Sequence, residues 1–167
     1  LGHEIEMTYE STFHQLASLT DARGKSTQYR YDSKGDLRAI VYPNGSQEQF
    51  SYDPLGNLTE SVNRRQRPTG YSYDSRGLLT RKDFADGSHT DFTYDARGNM
   101  LTATDGRGTT TMSYDAADRR TKISYPEGRF LEFTYDAGGR RIQSADQDGF
   151  TVKYQYDASG RLARLSD

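Results

Sequence analysis

Residues Phe92–Met100 read FTYDARGNM, and the same grammar stands 21 residues earlier as YSYDSRGLL and 42 residues earlier as FSYDPLGNL. Tyr-Asp pairs recur at Tyr31-Asp32, Tyr52-Asp53, Tyr73-Asp74, Tyr94-Asp95, Tyr114-Asp115, Tyr135-Asp136 and Tyr156-Asp157. All but one successive pair are 21 residues apart; Tyr94 and Tyr114 are 20 apart. A degenerate first copy, Tyr9-Glu10, lies 22 residues before Tyr31. A fixed period over nearly the whole of 167 residues makes the repeat, and not any one copy, the unit of structure.

Each copy carries a turn signal directly after its Tyr. Asp32–Gly35, Asp53–Gly56, Asp74–Gly77, Asp95–Gly98, Asp136–Gly139 and Asp157–Gly160 all read Asp-x-x-Gly. Asp at the first position accepts from turn amides, and Gly at the fourth takes a positive φ without a Cβ clash. This is the chemistry of a three-residue hairpin loop closed by a bulge. A second signal follows about ten residues later, at Pro43-Asn44-Gly45, Asp86-Gly87, Pro126-Glu127-Gly128 and Asp148-Gly149. These are expected to be two-residue hairpin turns. Loops of three and two would then leave two strands of eight per repeat, with their faces in phase. Asp21–Gly24 and Asp105–Gly108 repeat the four-residue text and are expected to use a bulge instead.

The strand entering each loop alternates. Tyr29, Phe50, Tyr71, Phe92, Met112, Phe133 and Tyr154 stand two before the repeat Tyr, with Arg30, Ser51, Ser72, Thr93, Ser113, Thr134 and Gln155 between. Period two places the aromatic residues on one face and the polar ones on the other. Across the loop, Leu37, Leu58, Leu79, Met100 and Leu162 should face the repeat Tyr as cross-strand partners. The predicted fold is all-β: eight tandem hairpins in a long, curved antiparallel sheet, one array over residues 1–167. With no helical periodicity to supply a cover, the aromatic face must roll inward or be buried against something else. Three copies depart from the text. Asp118 stands in the Gly position, Gln66 replaces the second-turn Gly, and Arg120 and Arg141 occupy the Leu position; altered turns or looser packing are expected there.

Composition agrees with sheet. Thirteen Tyr and seven Phe are unusual for a disordered polymer, and the net charge is −2. Without cysteine there are neither disulfides nor thiolate metal sites. Near-neutral charge gives no general pull toward nucleic acid, and no apolar run reaches the roughly 18 residues of a membrane span. Leu1 is not preceded by a Met or a leader, so the chain is expected to be a piece of something longer.

YDSKGDL (31–37), YDPLGNL (52–58), YDARGNM (94–100) and YDASGRL (156–162) resemble the Rhs/YD-repeat family. The resemblance covers the chain from about residue 7 onward. It implies hairpins added side by side into a hollow shell, as in bacterial polymorphic toxins, the B and C components of insecticidal toxin complexes, and teneurins. In the toxins that shell encloses a C-terminal toxic domain. The resemblance therefore implies a non-catalytic segment of a secreted or surface protein, partnered by further repeats and an enclosed domain, with no cofactor. Asp53-Pro54-Leu55-Gly56 shares text with the family's self-cleaving segment, but here it sits in frame as a repeat turn.

Other candidate chemistry is sparse. His3, His14 and His89 are scattered, with no i,i+4 pairing for a metal. The repeated Asp lacks the nonapeptide spacing of Ca²⁺-binding β-helices, and each has a turn to close. Arg64, Arg65 and Arg67 form the one basic cluster, a polyanion contact or a solvated loop tip. Asn44-Gly45-Ser46 and Asn57-Leu58-Thr59 are glycosylation sequons. The aromatic stripe could hold sugars, as an adhesive module would, or be the packing layer of the sheet. Open terminal strands would allow edge-to-edge self-association.

Overall fold

A computed structural model describes residues 4–167, which form sixteen antiparallel strands in two compact units, 4–88 and 89–167. The first unit holds β1 (Glu6–Tyr9), β2 (Leu16–Thr20), β3 (Ser26–Tyr31), β4 (Leu37–Val41), β5 (Gln47–Tyr52), β6 (Leu58–Val62), β7 (Pro68–Tyr73) and β8 (Leu79–Phe84). The second holds β9 (His89–Tyr94), β10 (Met100–Asp105), β11 (Gly108–Tyr114), β12 (Arg120–Ser124), β13 (Phe130–Tyr135), β14 (Arg141–Asp146), β15 (Thr151–Tyr156) and β16 (Leu162–Ser166). Within each unit, strands that follow one another in sequence pair with one another. A three-residue 3-10 turn, Pro126–Gly128, is the only helical element among the described residues.

Eight hairpins follow from the seven Tyr-Asp copies and the degenerate Tyr9-Glu10, and the cross-strand partners are as expected. Tyr31 faces Leu37, Tyr52 Leu58, Tyr73 Leu79, Tyr94 Met100 and Tyr156 Leu162. The strands are four to seven residues long, shorter than eight. In most repeats both turns use the same three-residue loop, whereas the 125–129 turn differs, with φ of 68° at Glu127. Asp32 N–H donates to Asp36 O at 3.0 Å and Gly35 N–H to Asp32 O at 3.1 Å. At the second turn Tyr42 N–H donates to Ser46 O and Gly45 N–H to Tyr42 O, each at 2.9 Å. A two-residue type I′ turn would need a positive φ at Asn44, which that residue does not have, so Gly45 serves as the bulge residue.

Face alignment comes instead from a bulge inside each hairpin. Arg30 faces Ala39 but Tyr31 faces Leu37, so Arg38 is skipped. That extra residue lets an odd 21-residue period keep its aromatics on one side. The off-period spacings have equally local causes. Between Asp105 and Gly108 only Gly106 and Arg107 form the loop, a two-residue connection one residue shorter than the others, which yields the spacing of 20. In the first hairpin Tyr9 faces Leu16 across a loop one residue longer, which yields 22.

The degenerate copies keep their turns. Gln66 N–H donates to Asn63 O at 2.9 Å and Asp118 N–H to Asp115 O at 3.1 Å, with φ of 59° and 60° at the two residues. Hydrogen bonding therefore overrides side-chain preference, and the departure from glycine is held as backbone strain, not as an altered turn. Gln66→Gly should raise stability by about 1 kcal/mol, read as a higher urea midpoint.

No described residue is fully buried. The aromatic face is a half-buried layer in which Tyr29 faces Ile40, Met112 faces Ile123, and Tyr154 faces Leu165. Burial in β11 alternates residue by residue, as a one-sided sheet requires. Stability is therefore distributed over neighbouring strands, without a central core.

Candidate functional site

The repeated Asp organises its loop through both carboxylate oxygens. Oδ1 of Asp53 accepts from Leu55 N–H and Asn57 N–H, each at 2.9 Å, while Oδ2 accepts from Asn57 Nδ2 at 2.8 Å. Asp32, Asp74, Asp95, Asp115 and Asp157 accept from the same two amides in their own loops, and Asp136 from Arg140 N–H. Glu10, the degenerate copy, accepts from Thr12, Phe13 and Gln15 N–H across its longer loop. At the fourth position Gly35, Gly56, Gly77, Gly98, Gly139 and Gly160 have φ between 77° and 91°. These bonds hold the carboxyls below the usual range. The Asn57 side-chain amide is the largest cause at Asp53, the Asn99 amide at Asp95, Lys34 N–H at Asp32, Leu78 N–H at Asp74, and Arg140 N–H at Asp136.

The repeated Tyr fastens its hairpin to the preceding one. Tyr31 Oη donates to Leu16 O at 2.9 Å, Tyr73 to Leu58 O at 2.9 Å, and Tyr114 to Met100 O at 2.9 Å. Tyr135 donates to Arg120 O at 2.7 Å and Tyr156 to Arg141 O at 2.8 Å. In every case the acceptor is the residue facing the previous copy's Tyr, so the contact repeats by register. Partial burial pushes the phenols of Tyr31, Tyr52 and Tyr73 up. Removing one such bond by Tyr114→Phe leaves the half-buried Met100 carbonyl unpaired and should cost about 1 kcal/mol, visible in urea unfolding.

One further repeat position has a role not assigned from the sequence: the residue after the loop Gly. Asn99 reaches Asp118 Oδ1 of the next loop at 2.6 Å, and Arg119 Nη1 reaches Asp136 O at 3.0 Å. The Arg119 guanidinium also lies 4.9 Å over the Tyr135 ring, and that of Arg140 lies 5.0 Å over Tyr156. Arg97, one residue before its loop Gly, pairs with Asp118 at 3.0 Å and donates to Ala116 O at 3.0 Å. The signal is present as Asn or Arg directly after the Gly in most copies. Its meaning depends on which loops become neighbours.

The other candidates are not gathered into a site. His14 lies in the first loop with φ of 56°, His89 is 3.4 Å from Asp91, and His3 falls outside the described residues. Among the described residues no three His, Asp or Glu side chains are grouped to hold a metal ion. The Arg cluster is divided, because the Arg64 guanidinium lies 4.2 Å over the Tyr42 ring and its Nε donates to Ser46. A concavity of about 810 Å³ lies in the second unit beside Tyr125, Pro126 and Gly108. A smaller one, about 530 Å³, lies in the first unit beside Tyr42, Pro43 and Arg64.

With this geometry in place, comparison with known proteins gives the lineage. The Teneurin YD-shell family model matches residues 58–167, and the RHS Repeat model matches residues 11–47 and 31–69. No curated protein sequence matches significantly. Among solved structures, TcdB2-TccC3-Cdc42 superposes with a TM-score of 0.80 at 17% identity, covering 98% of this chain and 10% of that one. TcdB2-TccC3 without its hypervariable C-terminal region gives 0.79 at 17% identity, covering 98% and 10%. A Photorhabdus luminescens Tc holotoxin pore gives 0.73 at 14% identity, covering 97% and 12%. The chain thus spans about a tenth of the length of the structures it resembles. With the family model matching more than half of its residues, and hairpins stapled copy to copy by the Tyr-Asp text, this chain belongs to the teneurin YD-shell family.

Proposed function

We propose that this chain is a length of shell wall. It is a single non-catalytic array whose work is to enclose or present an effector domain within a larger secreted or surface protein. Its partners are then further repeats and the enclosed domain. The observation that carries this reading is the use of the repeat residues. Tyr hydroxyls bond to the preceding hairpin and Asp oxygens to their own loops, so the groups most suited to chemistry are engaged in joining strands. The same bonds argue against a glycan platform built from the repeated Tyr.

The test is limited proteolysis of the full-length protein that carries these repeats. Wall function requires the enclosed domain to resist cleavage while the array is folded, and to become sensitive when Gly108→Val loosens it. Equal cleavage in both proteins would contradict enclosure. Glycan screening of the chain should leave the Tyr31, Tyr73 and Tyr135 ring resonances unmoved; a saturable shift abolished by Tyr→Ala would contradict the wall reading.

A further inference from the structure

The sequence holds two copies of a Tyr-Pro-x-Gly second turn, Tyr42–Gly45 and Tyr125–Gly128, and both open onto concavities. At Tyr42 the concavity is furnished in cis. Arg64, 22 residues on and the first loop residue of the next second turn, lays its guanidinium 4.2 Å over the ring. The residue 22 positions after Tyr125 is Gln147, which occupies the same loop position. Its amide turns elsewhere, with Oε1 accepting from Phe130 N–H at 3.3 Å and Nε2 donating to Asp148 at 2.7 Å. Tyr125 is 41% exposed, and among the described residues no cation lies over its ring.

The charges differ in the same direction. Asn63 and Asn44 of the first site correspond by turn position to Asp146 and Glu127 of the second, and Asp105 stands where Asp21 does. Two carboxylates have been added and the ring-stacking guanidinium is missing, while Arg129 stands where Ser46 does. Arg107 pairs with Asp105 at 3.0 Å, and Arg129 also lines the concavity. Among the described residues Glu127 and Asp146 have no ion-pair partner; Asp146 Oδ1 closes its own turn by accepting from Asp148 and Phe150 N–H, each at 3.0 Å, so Oδ2 is the oxygen it offers. The two-residue Gly106-Arg107 loop sets Gly108 against the Pro126 ring, whose Cβ and Cγ lie 3.0 Å from where a Gly108 Cβ would be. The concavity is larger at Tyr125, about 810 Å³ against about 530 Å³.

We infer that the Tyr125 concavity binds an arginine side chain presented by a separate polypeptide, stacked on the Tyr125 ring and paired with Glu127 and Asp146. The occupant is the trans counterpart of Arg64. A planar guanidinium suits both partners, since it stacks on an aromatic face and pairs bidentately with carboxylate. This inference is independent of the wall reading, and either can fail alone.

The test is a chemical-shift titration of the labelled chain with acetyl-Gly-Arg-Gly-amide, and with the isosteric neutral citrulline peptide. Saturable shifts at Tyr125, Glu127 and Gln147 are expected with arginine, and binding at least tenfold weaker with citrulline. Gln147→Arg should supply the cation in cis and weaken the peptide at least tenfold, while Gln147→Asn leaves it unchanged. Tyr125→Leu should abolish binding, with retained amide dispersion showing that the sheet is intact. No saturable shift, equal binding of citrulline, an equal response to a neutral trisaccharide, or an unaltered affinity in Gln147→Arg would each overturn the assignment.

Discussion

Gly108→Val, at the first residue of β11, is expected to lower stability by about 3 kcal/mol. Two costs coincide there. The backbone sits at φ of 131°, outside what a β-branched residue tolerates, and any Cβ would meet the Pro126 Cβ and Cγ at 3.0 Å. That contact is ring against backbone, so neither side yields easily. Gly87 separates the two costs. Its φ is 84° and nothing lies within 4 Å of where a Cβ would stand, so Gly87→Ala should cost only about 1 kcal/mol of strain. Urea midpoints of the two variants check this. Equal losses would mean that the Pro126 packing contributes nothing.

Acid should unfold the chain through its loops. Asp21, Asp32, Asp53, Asp74, Asp95, Asp136 and Asp157 all titrate below their ordinary value in the folded chain, because loop amides and side chains donate to the charged form. A depressed folded value means that the unfolded chain binds the proton first. The stabilisation is complete above the unfolded Asp value of about 3.9 and is lost as pH falls through the lower folded values. The urea midpoint is therefore expected to be flat from neutrality to about pH 5 and to fall steeply below about pH 4. Asp53→Asn tests the cause. Asn63 already closes a native loop, with Oδ1 accepting from Arg65 and Arg67 N–H, so an amide preserves the turn and removes the titration. The variant should lose part of the acid sensitivity and be less stable at neutral pH, because its amide has one accepting oxygen where the carboxylate has two, and the bond from Asn57 Nδ2 to Oδ2 is lost. Unchanged acid sensitivity would place its origin outside the loops.

The hairpins, the Tyr–Leu register and the aromatic face are legible in the sequence because they depend only on residues six or fewer positions apart. Tyr94 and Met100 face each other whatever the neighbouring repeats do. The second turns are misread from sequence because Asn44-Gly45 fits either a two-residue or a three-residue loop, and only the φ of Asn44 distinguishes them. The bulge at Arg38 leaves no mark in composition, since any residue can be skipped between Leu37 and Ala39. Contacts between copies are the least legible. The Tyr114 bond to Met100 O spans 14 residues and the Arg119 bond to Asp136 O spans 17, so both depend on how adjacent hairpins pair. The Tyr125 concavity is hidden for the same reason: its meaning rests on the contrast between Arg64 and Gln147, 22 residues from each Tyr.

The central claim is that the repeated Tyr, at Tyr31, Tyr73, Tyr114, Tyr135 and Tyr156, joins its own hairpin to the one before it. Amide hydrogen exchange of Tyr114→Phe against the parent chain measures this most directly. Faster exchange is expected in both hairpins that the bond joins, at the ladder amides of Thr102 and Ala103 in β10 and of Met112 and Ser113 in β11. Protection near Tyr29 and Tyr31 in the other unit should not change. Loss of protection confined to the β11–β12 hairpin, or none at all, would contradict the account and return the repeated Tyr to a role within its own rung.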